Sequence, residues 1–172
     1  FAKSFSPAAH CFPRLLHLQL FNNPELGSDP KNMLEFLAAV AEHCSLLEVL
    51  QISQTGFEEV AEEVDVDSLK AIFQKLFWHL ESLQIDRNPK LGYRTAIALV
   101  GGLQKAAEGL KNLKKADEGL QKKADDSLPL KRLWLYDNPK LFESESHPQL
   151  CQDLMTELEK SCASLEELRL NH

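Results

Sequence analysis

Arg132, Trp134 and Tyr136 alternate within Arg132-Leu133-Trp134-Leu135-Tyr136. A period of two puts these three on one face of a strand and the leucines on the other. Arg, Trp and Tyr are enriched at the energetic centres of protein interfaces, where a rigid ring or a guanidinium fills a desolvated pocket. An exposed Trp between Arg and Tyr costs solubility without an obvious folding gain. The segment therefore reads as a contact patch for a protein partner. Packing of the same rings against the chain's own surface is the competing reading.

Covalent chemistry has no comparable support. The chain contains no GxSxG, HExxH, GxxxxGK[ST] or GxGxxG motif. His10, His17, His43, His79, His147 and His172 show neither HxH nor HxxxH ligand spacing. Cys11, Cys44, Cys151 and Cys162 form no CxxC pair. No catalytic residue, cofactor or metal is expected. Few cysteines and no Asn-x-Ser/Thr sequon favour a reducing compartment, cytoplasmic or organellar after processing.

Composition narrows the classes further. The chain has 172 residues, 44% hydrophobic and 26% charged, which suits one globular domain spanning 1–172. With 19 Lys and Arg against 26 Asp and Glu, the net charge is -7, the wrong sign for a nucleic-acid binder. The longest uncharged, mostly apolar run, 95–103, is far short of the about 20 residues that span a bilayer. Phe1 opens the chain without an initiator Met or a secretory pattern, as expected of a processed chain or a piece of a longer one.

The element that must position the patch is a repeated strand. LxxLxL occurs five times, at Leu15-Leu18-Leu20, Leu47-Leu50-Ile52, Leu80-Leu83-Ile85, Leu130-Leu133-Leu135 and Leu165-Leu168-Leu170. In each, the fourth and sixth residues alternate with others, the pattern of a half-buried strand. Three copies continue to Asn-Pro at the ninth and tenth positions, as Asn23-Pro24, Asn88-Pro89 and Asn138-Pro139; the second has Thr55-Gly56 instead. An Asn there can satisfy backbone groups where the strand ends, and the Pro holds the turn.

On these residues the chain resembles the leucine-rich repeat family, L-x-x-L-x-L-x-x-N/C-x-L, with Leu26, Leu91 and Leu141 near the last Leu. The first leucines stand at 15, 47, 80, 130 and 165, so the repeats run 32, 33, 50 and 35 residues. Such lengths point to the ribonuclease-inhibitor-like branch. The resemblance implies an α/β solenoid of about five repeats, a horseshoe arc with parallel strands on the concave face and helices on the convex face. It also allows control of an enzyme in trans, since the family includes nuclease inhibitors and activators of small GTPases.

In such a stack the third, fifth and seventh positions face outward. The rows are His17, Val49, Ser82, Arg132, Glu167; Gln19, Gln51, Gln84, Trp134, Arg169; and Phe21, Ser53, Asp86, Tyr136, Asn171. From these, Arg132, Trp134 and Tyr136 are the leading partner-binding candidates, followed by Phe21, His17, Gln84, Asp86 and Arg169.

Helices must fill the intervals. Asp29 and Pro30 read as an N-cap and first helical residue, with Met33, Leu34, Leu37, Val40, Ala41 and Cys44 on the inner face. Before the last strand, Ser146 and Gln149 suggest a capping box, with Leu150, Leu154, Leu158 and Cys162 inward. Cys44 and Cys162 fall in the same slot, three residues before a first Leu, as small core residues. The acidic run 58–67 reads as a solvated bulge followed by a helix. The third interval is longer, with an apolar heptad from Ala96 to Ala124. One helix of that length would reach about 45 Å. A break near Gly109 or Gly119 is therefore expected, with 104–127 a helical insertion.

The function expected from sequence is a non-catalytic module binding a protein through its concave face. The alternatives are an architectural subunit of a larger assembly and the enzyme regulator that the resemblance allows.

Overall fold

The structure, a computed structural model, describes residues 12–58, 63–116, 127–143, 145 and 147–170. Each LxxLxL segment contains one strand. β1 (His17–Gln19), β2 (Val49–Gln51), β3 (Ser82–Gln84), β4 (Arg132–Trp134) and β5 (Glu167–Arg169) form one parallel sheet in chain order. The register does not slip: Leu18, Leu50, Leu83, Leu133 and Leu168 align from edge to edge. Helices α1 (Pro30–His43), α2 (Glu63–Leu76), α3 (Tyr93–Ala116) and α4 (Leu150–Ser161) link successive strands and touch one another in the same order. The class is α/β.

Strand residues at the fourth and sixth positions meet the helices in one core. Leu50, Leu83, Leu133, Ile52, Ile85 and Leu135 are fully buried, together with Met33, Leu37, Phe73, Leu99, Leu103 and Leu154. The sheet face opposite the helices stays uncovered by any described element. At the two edge strands the same positions, Leu18, Leu20, Leu168 and Leu170, are only partly buried.

A backbone device repeats after each of the first four strands. Asn22, Gln54, Arg87 and Asp137, all at the eighth position, adopt left-handed φ values of 59, 54, 59 and 55°. That conformation costs a non-Gly residue about 1–2 kcal/mol. It also turns the chain so that the ninth residue points inward. Asn88 and Asn138 are completely buried there. Asn88 Nδ2 donates to the carbonyls of Ile85 and Ile52, at 3.0 and 3.1 Å, and its Oδ1 accepts from the Thr55 and Phe57 amides. In the second copy Thr55 replaces Asn and donates its hydroxyl to the Ile52 carbonyl. Gly56 follows at φ 71°, where a Cβ would lie 1.9 Å from the Pro24 carbonyl oxygen, so only glycine fits.

The helices carry one expectation through, revise another and narrow a third. Asp29 caps α1, accepting from the Lys31 and Asn32 amides at 3.0 and 3.4 Å, with Pro30 first in the helix. At α4 the capping box does not form: the helix starts at Leu150, so Gln149 sits at the cap itself, without a side-chain capping bond, rather than a turn inside. Ser146 lies outside the described residues. In α3 the expected break near Gly109 is absent, and the helix continues to Ala116. The glycines serve packing instead. A Cβ on Gly102 would meet Phe73 Cβ at 2.6 Å, and one on Gly109 would meet the Trp78 ring at 2.9 Å, so α3 lies tight against α2 and its flank. Gly119 and the rest of 117–126 lie outside the described residues.

Candidate functional site

Trp134 on β4 anchors the open face. Arg169, its neighbour in register on β5, lays its guanidinium over the indole, 4.1 Å from the ring centroid. Glu167 Oε1 holds that guanidinium, accepting from Nε at 2.7 Å and Nη2 at 2.6 Å. Tyr136 lies 6.3 Å from Trp134, tilted by 57°. Arg87 covers the Tyr136 ring at 5.4 Å. The result is two aromatic rings, each faced by one arginine.

Carboxylates surround the pair. Asp86 is buried and accepts a 2.6 Å hydrogen bond from the Ser53 hydroxyl. Arg87 Nε lies 3.9 Å from Asp86 and 3.6 Å from Asp137. Burial, and then the charge of Asp86, push the Tyr136 phenol above the usual tyrosine range. It is a neutral hydroxyl at neutral pH. Arg132 is exposed and forms no salt bridge among the described residues.

Within the patch, Trp134 Nε1 is buried and has no hydrogen-bond partner among the described residues, a state that costs about 1–3 kcal/mol. The ring itself is partly exposed.

The other outward positions divide. Ser53, Ser82, Gln84 and Asp86 were expected to line a solvent-facing grid, but all four are buried. Gln84 is in register with Trp134 on β4, and Ser53 bonds Asp86. Gln84 also donates to the Ser82 hydroxyl at 3.3 Å. His17 and Phe21 are exposed, Phe21 at 53%, but they belong to β1 and its turn, three strands from the patch. Asn171 and His172 lie outside the described residues. Arg87 is the member that sequence reasoning missed. Its signal was the eighth position, where the left-handed turn sends the side chain back over the following strand.

Cys44 and Cys162 are buried, and burial pushes the Cys162 thiol up to about 12. In the acidic run, 59–62 lie outside the described residues; Asp67 pairs with Lys70 at 2.8 Å, which lowers its pKa. Among the described residues no group of three or more His, Cys, Asp or Glu is placed to hold a metal, and no helix is long and apolar enough to cross a membrane. Compared with protein-family models, curated proteins and solved structures, the chain finds no match in any of the three.

Proposed function

We propose that the chain is a leucine-rich-repeat solenoid that acts as a non-catalytic protein-interaction module. Its partner binds the open sheet face at Arg132, Trp134 and Tyr136. The observation that carries this reading is the Trp134–Tyr136 pair, partly exposed on a sheet face that no described element covers. A core residue would be buried and a solubilising one would be charged; these rings are neither. The repeated LxxLxL strands, the left-handed eighth residue and the buried ninth Asn support the solenoid assignment. The test is co-purification from the native source with wild type and a Trp134→Ala, Tyr136→Ala variant of matched circular dichroism. A stoichiometric partner held by the wild type and lost by the variant is expected. Equal retention would refute the site.

A second reading, an architectural subunit, rests on the β1 edge. There an apolar groove of about 420 Å³ is lined by Leu18, Leu20, Pro24 and Leu26. Partners kept by the open-face variant but lost on Leu20→Lys would favour it.

A further inference from the structure

The arginine on Trp134 belongs to the chain itself, and that shapes what a partner must bring. We propose that Arg169 occupies a cation site from within, and that the partner supplies a lysine or arginine side chain that takes its place. This rests on the open face being the contact surface.

The site already has the parts that bind a cation. An indole face attracts a guanidinium through its quadrupole, and Trp is the best of the three rings for this. Glu167 stands beside it as counter-ion. Both of its contacts to Arg169 fall on Oε1, which leaves Oε2 without a hydrogen bond among the described residues. Asp137 and Asp86 extend the negative rim along Tyr136, where Arg87 repeats the arrangement. Arg87, Arg132 and Arg169 balance these three carboxylates, so the preference for a cation comes from the two ring faces, the open Oε2 of Glu167 and the net charge of -7 over the whole chain.

Arg169 is also a poor permanent occupant. Its side chain is 49% exposed and Glu167's is 34% exposed, and ion pairs in such surroundings hold weakly.

The experiment titrates the chain with an amidated arginine-rich peptide and with a glutamate peptide of equal length, by calorimetry. Wild type, Arg169→Ala, Arg169→Gln and Glu167→Gln are compared, each checked by circular dichroism. Removing the internal competitor should tighten arginine-peptide binding about threefold in both Arg169 variants. Glu167→Gln should weaken it. No tightening in either Arg169 variant, or equal binding of the glutamate peptide, overturns the proposal. If the arginine peptide fails while a native partner is still lost on Trp134→Ala, Tyr136→Ala, this inference falls and the open-face reading stands. If the native partner ignores those two residues, the open-face reading falls.

Discussion

The backbone amide of Asn88 donates to Oδ1 of Asn138 at 2.7 Å, across 50 residues of chain. Asn138 Nδ2 returns to the carbonyls of Ile85 and Leu135, each at 2.9 Å. One side chain thus closes its own turn and ties down the turn before it. Asn88 does the same for Thr55 and Phe57. Asn88→Ala strands several buried groups at once and should cost about 3 kcal/mol or more. Asn23 is exposed and, among the described residues, bonds its own turn alone, so Asn23→Ala should cost under about 1 kcal/mol. Urea denaturation of the two variants measures the contrast. Equal losses would show that the ladder between turns contributes nothing.

Alanine at the α3 glycines separates propensity from packing. In a helix interior Ala is favoured over Gly by about 1 kcal/mol. At Gly102 the new Cβ meets Phe73 Cβ at 2.6 Å and the Gln74 amide nitrogen at 3.1 Å, neither of which can yield without moving α2. At Gly109 it meets only the Trp78 ring, a 41% exposed side chain held to α3 by one 3.2 Å hydrogen bond from its Nε1 to the Ala106 carbonyl, so the cost of moving it offsets the gain in propensity. Gly102→Ala should lose about 1–3 kcal/mol, and Gly109→Ala should stay within about 0.5 kcal/mol of wild type. Thermal unfolding of both decides it.

Gly109 marks the boundary between what can and cannot be read without a structure. Period-two alternation fixed all five strands, because a one-residue slip would have turned Leu18, Leu50, Leu83, Leu133 and Leu168 outward together. Asp29-Pro30 located the start of α1 because capping is a local property. A glycine in a helical heptad is ambiguous locally. It can end the helix or admit a neighbour, and only the position of Phe73 and Trp78 distinguishes the two. The site shows the same limit. Trp134 and Tyr136 were legible from alternation within one strand. The burial of Gln84 and Asp86 was not, because burial depends on neighbours that lie far away in the sequence, such as Ser53, which bonds Asp86. Ser146 gave a good capping pattern, but α4 begins only at Leu150, where its apolar face first reaches the core.

Cys162 makes the stability of the fold depend on alkaline pH. Its thiol titrates near 9 in an exposed setting and is pushed up to about 12 by burial. The unfolded chain therefore releases this proton first as pH rises. The stabilisation is complete below about 9 and is lost progressively between about 9 and 12. At about 1.4 kcal/mol per pKa unit the effect is at most a few kcal/mol. Stability curves for wild type and Cys162→Ala should converge across that window. A constant gap would show that the thiol ionises no later folded than unfolded. Thiol labelling near neutral pH gives a companion readout, with exposed Cys151 reacting and buried Cys44 and Cys162 protected until unfolding.

Trp134→Phe tests what the unpartnered indole N–H is for. If Trp134 were only a packing residue, a buried donor without an acceptor would be a pure cost of about 1–3 kcal/mol, and Phe would relieve it. Phe keeps an aromatic face under Arg169, so the stacking contact at 4.1 Å survives in weakened form. The ring is smaller, so some of the packing around a partly buried indole is lost. The two effects nearly cancel, and Trp134→Phe should unfold within about 1 kcal/mol of wild type. Binding separates the roles. A donor kept for a partner's carbonyl is missed only in the complex, so partner affinity should fall about fivefold or more while stability holds. Trp134→Ala, which removes the ring as well, should lose both. A Phe variant of unchanged affinity would show that the indole contributes its face alone, and that its nitrogen is a cost the fold carries without return.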